Sequence, residues 1–502
     1  MTKNHDETDP GARSPQRHGE NMNVFEKIAD PTDLDVIRRV IQEAPGAERL
    51  VSLGIRRLVI SEFAADLVAE ELATELALAG CTATRPRVVL VTDDTAIYRA
   101  GVNLKQHVLS LLREKFEVEH CILGQHGHLF ADDHSLDAAT AAATGADGVV
   151  SVGSGTISDI AKVATARLGG IPHILVQTAA SVDGFTDNVS VVLKAGAKRT
   201  IDSRWPSVVL ADTTTICDAP RELNTSGFGE LLSLFTAPAD WWLASKIGTD
   251  SSFHSTPRDL LLTFAGDPSE WGEGISEGNV SAIEQLTRVL AIRGIGTGIA
   301  GSTACLSGVE HLVSHMLDMY AASHGHEVGL HGAQVGVASL IAAAAWDHLF
   351  FKLESSGTIP PVHFDLVALE GQARQAFARC DSSGAMGQEC WNDYQKKILT
   401  WVDSPEGVGT LLHNVADLRE QLGVMRPNLE SLSRGLQKAG AVNAPEKLAE
   451  WVTPEVWRWA VANCHFMRNR VTVVDLLQGL GWWTAEDVDA VIVVAARAGA
   501  SL

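Results

Sequence analysis

The chain is 502 residues long, 45% hydrophobic, and carries a formal net charge of −22 at pH 7. That acidity argues against nucleic acid as a partner, since phosphate backbones are met by clustered Lys and Arg, while the length allows a large core and two domains, or one with an extension. Seven scattered cysteines without CxxC spacing exclude a disulfide framework, and no signal-peptide pattern or apolar run near the ~20 residues of a membrane span is present, so a cytoplasmic protein without a membrane partner is expected.

Residues 1–23 are polar, lack hydrophobic periodicity and are expected to form a disordered tail. Short β-rich runs then alternate with helical patterns between about 85 and 215. They run "RVVLVT" (87–92), an amphipathic stretch through Ile97, Leu104, Val108 and Leu111, "VEHCIL" (118–123), the Ala-rich 136–144, "DGVVSVG" (147–153), a helix over 156–168, and "PHILVQT" (172–178). That order predicts parallel strands in a Rossmann-like α/β region with helices on the faces. Beyond about 216 helical periodicity dominates, with long segments near 281–300, 306–322, 334–350 and 454–468, and the Gly, Pro and Ser punctuation of 248–279 predicts a loop-rich insertion. The expected layout is a nucleotide-binding α/β domain over 24–215 and an all-α domain over 216–502, with a ligand cleft between them.

Ligands of an open parallel sheet lie beyond the carboxyl ends of its strands. There Gly153-Ser154-Gly155-Thr156 ends one strand and opens a helix; it is either a cradle for a diphosphate or a tight βα turn with Asp159 in the helix's first turn. Asp93-Asp94 follows the strand 87–92 and could accept hydroxyls from a ribose or cap a helix. "TAASVDGFTD" (178–187) is a loop or a site wall. Farther on, His311 and His315 share one helical face and His331 opens the next helix. With a carboxylate they form a plausible Zn²⁺ or Fe²⁺ site, or simply a solvated face. Glu230 is the carboxylate candidate, expected in the first turn of a helix preceded by Gly227 and Gly229.

Taken in order, "VLVTDDTAIY", "GSGTISDIAK", "TAASVDGFTD", "LADTTTICDAP", "SGFGELLSLFTAPADWWLA", "SGVEHLVSHMLDM", "LHGAQVGV" and "FMRNRVTVVDLLQGLG" resemble the sn-glycerol-1-phosphate dehydrogenases, relatives of dehydroquinate synthase and the iron-containing alcohol dehydrogenases. The resemblance implies that the turn Gly153, Ser154, Gly155, Thr156, Ile157 and Asp159 holds the pyrophosphate of NAD or NADP, with Asp93 on the adenosine ribose and Thr178, Ser181 and Asp187 lining the cofactor. It implies that Glu230, His311 and His331 ligate one divalent metal (Zn, Fe or Ni), with His315 and Asp183 facing substrate. The substrate is a small molecule, a phosphorylated triose or polyol, with Lys162, Lys198, Arg468 and Arg470 as candidate cationic partners; a homo-oligomer is expected. The chain departs from this pattern at Glu230, where these dehydrogenases generally place Asp and dehydroquinate synthases place Glu, at Gln177 in place of a proline, and at Asp187, an added acid. Two rival classes are therefore a dehydroquinate synthase-like cyclase or lyase using NAD transiently, and a non-catalytic nucleotide-binding relative.

Overall fold

The computed structural model describes residues 30, 32–124, 129–194, 197–402, 409, 411–412, 415–423 and 428–500; the tail expected over 1–23 lies outside them. The first part alternates strand and helix: β1 (Arg57–Ser61), α1 (Val68–Leu78), β2 (Arg87–Asp93), α2 (Leu104–Lys115), β3 (Glu117–Leu123), α3 (Asp133–Ala143), β4 (Gly148–Gly153), α4 (Gly155–Arg167) and β5 (His173–Gln177). A hairpin, β6 (Val189–Lys194) and β7 (Ala197–Asp202), precedes the last strand, β8 (Val208–Asp212). The six long strands pair in the order β1-β8-β5-β4-β2-β3, every pair parallel. Val88 to Val91, Val149, Val150 and Val152 have no exposed surface. Both faces are covered, as continuous apolar strands of a parallel sheet require. One face packs under α1 and α2 and the other under α3 and α4.

After Asp212 no strand occurs among the described residues. The helices that position the site are α5 (Arg221–Leu231), α6 (Ser255–Ala265), α7 (Val280–Ala300), α8 (Val309–His324) and α9 (His331–Ser355); α10 (Ala385–Val402), α11 (Pro454–Asn463) and α12 (Val473–Gly479) pack around them. By length and composition α9 could cross a membrane, but 83% of its apolar window is buried inside the protein, which makes it the central core helix.

One expectation gains detail here and another changes. The 248–279 segment, expected to be loop-rich, also carries α6 over 255–265. Its Pro257 sits in the first turn, where a missing N–H costs nothing, and His254 caps that turn by accepting from Thr256 N at 3.1 Å. Glu230, expected in a helix's first turn, instead lies in the last turn of α5, and Gly227 and Gly229 lie inside that helix. These glycines exist for packing. A Cβ on Gly336 would stand 2.7 Å from Gly229 Cα, and one on Gly332 would stand 2.9 Å from Glu230 Cβ. Only bare backbone lets α5 and α9 approach so closely, and that approach carries Glu230 toward His331.

Candidate metal centre and cofactor cleft

Glu230, His311 and His331 come from α5, α8 and α9, and one ligand atom from each lies within 4.8 Å of the others. His311 Nε2 is 3.4 Å from Glu230 Oε1, and His331 Nε2 is 3.7 Å from Glu230 Oε2. Both imidazoles are oriented from behind. His311 Nδ1 bonds Glu310 Oε1 at 3.0 Å, and His331 Nδ1 bonds Ser314 Oγ at 3.0 Å, whose own proton goes to Gln334 Oε1 at 2.7 Å. With each Nδ1 engaged, each Nε2 lone pair is left for a metal, as outer partners of zinc-type sites arrange. The fully buried Glu310 is fixed in turn by the Thr236 hydroxyl at 2.8 Å and by Gly308 N at 2.6 Å.

The carboxylate is held just as firmly. Arg293, fully buried on α7, donates through Nη1 to Glu230 O and through Nη2 to Glu230 Oε1 at 3.1 Å and Ser233 Oγ at 2.9 Å. Its Nη2 also lies 3.5 Å from Asp183 Oδ2, so the predicted substrate-side acid and the predicted metal ligand share one guanidinium. Glu230 Oε2 is buried and has no hydrogen-bond partner. A buried carboxylate oxygen left bare between two imidazoles fits a divalent cation, since burial without a partner is otherwise costly. Burial opposes ionisation of Glu230, but Arg293 and the two imidazoles outweigh it and hold the carboxyl well below its usual range. Burial likewise opposes protonation of His311, and the Glu230 charge reverses this, raising it to about 9. Burial raises Asp183. The His315 ring centre lies 5.9 Å from that of His331 and 6.4 Å from that of His311, so the fourth residue faces the same centre.

At the carboxyl edge of the sheet a cavity of about 450 Å³ is lined by Asp93, Asp94, Thr95, Leu129, Ser154, Thr156 and Ile157. Gly153 and Gly155 flank it: a Cβ on the first would meet Ile157 Cβ at 2.7 Å, and one on the second Val182 Cγ2 at 3.0 Å. Asp93 caps no helix; one of its oxygens pairs with buried Lys105. The buried Thr178 donates its N–H to Gly153 O at 3.3 Å, and the buried Ser181 stands on the loop that continues to Asp183. Gln177 bonds Ala179 O at 3.0 Å and so braces that loop, which meets the helical part where Ala180 N donates to Asn224 Oδ1 at 3.0 Å.

Asp159 and Asp187 do not line this cavity. Fully buried Lys162 lies 2.6 Å from Asp187 Oδ1 and 3.2 Å from Asp159 Oδ1, and donates to Gly184 O. Asp159 Oδ2 accepts from Val191 N at 3.2 Å, which ties α4 to β6. Burial pushes Asp187 up to about 7 despite the Lys162 charge. These three residues brace the turn from beneath, and Lys162 is spent on them. Of the other candidate cations, the Lys198 side chain lies outside the described part. Arg470 donates to the neutral acceptors Ser307 O and Thr303 Oγ1 beside α8. Burial lowers Arg468, with Arg199 adding to the effect. Arg293 and Glu310 escaped the sequence reading. The only signal for Glu310 was its place before His311, and nothing marked Arg293, which is distant in sequence from every partner.

Residues 68–220 match the family model of iron-containing alcohol dehydrogenases. The glycerol-1-phosphate dehydrogenase [NAD(P)+] of Halalkalibacterium halodurans is 33% identical over 267 residues, covering 52% of this chain and 64% of that protein. The enzyme of the same name from Geobacillus thermodenitrificans is 27% identical over 347 residues, covering 67% and 80%. Among solved structures, a probable glycerol dehydrogenase from Sinorhizobium meliloti 1021 superposes with a TM-score of 0.54 at 15% identity over 89% of this chain and 98% of its own. An alcohol dehydrogenase from Oenococcus oeni gives 0.51 at 14% identity over 87% and 97%; both likenesses concern the fold. The chain is therefore related to the iron-containing alcohol dehydrogenases, a class of metal-dependent NAD(P) oxidoreductases. Over a longer stretch its sequence resembles the glycerol-1-phosphate dehydrogenases [NAD(P)+], of which it spans 64% of the first and 80% of the second.

Proposed function

We propose that this chain is a metal-dependent NAD(P)H oxidoreductase that reduces dihydroxyacetone phosphate, or a related polyol phosphate precursor, to sn-glycerol 1-phosphate or its analogue, as a cytoplasmic homo-oligomer. The observation that carries this reading is Glu230 Oε2, buried without a hydrogen-bond partner beside two imidazoles whose Nδ1 atoms are both engaged. Glu230, His311 and His331 would hold the metal, which supplies Lewis acidity toward the substrate carbonyl oxygen. Ser154, Thr156 and the backbone at Gly153 and Gly155 would bind the dinucleotide pyrophosphate at the start of α4, and Asp93 the ribose. Thr178 and Ser181 would bound the nicotinamide side. Asp183, whose carboxyl is raised by burial and which lies 3.5 Å from Arg293, would bind a substrate hydroxyl. His315 would pass a proton to the substrate oxygen from its ring. Arg470, which donates to the neutral acceptors Ser307 O and Thr303 Oγ1, would meet the substrate phosphate.

The test follows reduced-cofactor absorbance after metal-loaded protein is mixed with NADH or NADPH and dihydroxyacetone phosphate. Stoichiometric oxidation is expected. His311→Ala or His331→Ala retaining full metal content overturns the metal assignment. Glu230, the residue typical of dehydroquinate synthases, favours the cyclase reading, which would appear instead as phosphate release from a sugar phosphate with no net cofactor change.

A further inference from the structure

Glu230 carries one methylene more than the aspartate usual at this place in the dehydrogenases it resembles, and the structure shows where that length goes. Arg293 approaches from α7 and makes a fork around Glu230, meeting at 3.1 Å the same Oε1 that lies 3.4 Å from His311 Nε2. One arm takes the main-chain carbonyl near the C-terminus of α5, where helix carbonyls lack intrahelical partners and a cation is favoured. The other takes Oε1 and, through the same nitrogen, Ser233 Oγ. Backbone and side chain of the residue are thus fixed together, and one oxygen remains.

From this the geometry points to Glu230 and Arg293 as a single ligand unit. In it, Arg293 is a positioning residue that takes Oε1, leaves only Oε2 for a metal, and ties Asp183 on the sheet side to the same cation. The idea rests on the metal reading of the site. Three features support it. The guanidinium has no exposed surface, so its charge is not there for solubility. Its Nη2 contacts are all to site groups: Glu230, Ser233 and Asp183. The two Glu230 oxygens are sharply unequal, Oε1 bonded to Arg293 and Oε2 bare. An aspartate would be shorter by one C–C bond, about 1.5 Å. It could not reach the guanidinium and the imidazoles together. An ammonium in place of the fork could not serve the Glu230 carbonyl, Oε1 and Ser233 at once. The guanidinium also offsets part of the carboxylate charge, which leaves a bound dication more of its own charge for a substrate oxygen.

The experiment is a double-mutant cycle on the metal-free full chain, read as Zn²⁺ affinity by chelator competition for wild type, E230D, R293M and E230D/R293M. If the two residues act as one unit, E230D should cost at least about tenfold more affinity with Arg293 present than with Met in its place. In E230D with Arg293 present the short carboxylate is drawn to the guanidinium; without that cation it can lean toward the imidazoles. Bound Co²⁺ gives a second readout, because its visible spectrum reports the number of oxygen donors: R293M frees Oε1 and should change the spectrum. Where R293M does not fold, R293Q, which also removes the cation, takes its place in the cycle with the same expectation. Equal costs of E230D in both backgrounds, or an unchanged Co²⁺ spectrum, overturn the proposal. A lower melting temperature of the metal-free variants alongside such equal costs marks Arg293 as merely structural and overturns it too. A wild-type chain that takes up no Zn²⁺ or Co²⁺ overturns both this inference and the function proposed above.

Discussion

Gly336→Ala tests how the metal trio is assembled. The added Cβ would stand 2.7 Å from Gly229 Cα and 3.1 Å from Leu436 Cδ2. Leu436 can rotate, but the backbone of α5 cannot. Carbon atoms pack at roughly 3.5–4.0 Å, so α9 must withdraw by about 1 Å. Two opposite effects on stability follow. Alanine in a helix interior gains about 0.5–1 kcal/mol over glycine, while forcing a methyl into a packed core costs about 1–3 kcal/mol. The fold should therefore lose at most about 2.5 kcal/mol. The metal site is far less tolerant: ligand distances must hold to about 0.2 Å, and His331 rides on the first turn of the helix that moves. Metal affinity should fall by at least about 100-fold, the upper end for disturbing a site from its support. Gly371→Ala on the helix Leu366–Phe377 is the control, since its Cβ would meet nothing within 4 Å and should only stabilise. The assays are urea unfolding and Zn²⁺ titration of metal-free protein. If Gly336→Ala bound Zn²⁺ as tightly as wild type, the close helix crossing would not be what sets the Glu230–His331 separation.

Asp93→Ala should raise the Kd for NAD(P)H about tenfold, the worth of one hydrogen bond, with metal content unchanged; a loss of metal instead would misplace the cofactor cleft. Lys162→Met leaves two buried carboxylates without their cation, which should cost about 3–5 kcal/mol in urea unfolding. Because burial already pushes Asp187 up to about 7, well above an unfolded carboxylate, that variant should weaken further as pH rises through neutrality; a flat profile would contradict the buried pairing. His173 is fully buried in the sheet with Ser151 Oγ at 2.8 Å, and burial lowers it to about 3. It stays neutral in the fold and protonates only on unfolding, so stability is retained above about 6.5 and lost as pH falls below it. Between about pH 7.5 and pH 5.5 this one residue should remove about 1.4 kcal/mol. His173→Gln should shrink the fall in urea midpoint over that interval by the same amount, and an unchanged fall would show that His173 is not held neutral.

What the sequence disclosed was governed by how local each signal is. The strands β2, β4 and β5 announced themselves because a parallel strand covered on both faces is a nearly unbroken apolar run, and the paired histidines because a helix puts positions four apart on one face. The order of blocks carried more than any of them, since it placed Glu230 with His311 and His331 when no spacing could. Three features were misread or missed for one shared reason: their meaning lies in an approach between distant segments. Gly227 and Gly229 look like a helix start, yet Gly229 is the bare spot on which α9 lies and Gly227 the one against which Ala180 O packs. Asp159 and Asp187 look like two acids crowding a phosphate, yet Lys162, three residues from the first and twenty-five from the second, pairs with both below the turn. Arg293 looks like one more charged residue on a helix that also carries Glu284 and Arg288, a pattern that invites assignment to the surface, yet it has no exposed surface and grips Glu230 sixty-three residues away. The doubt raised by a glutamate where aspartate is usual therefore has a physical answer in the fold. The longer acid and the buried guanidinium fit each other, and neither makes sense at this centre alone.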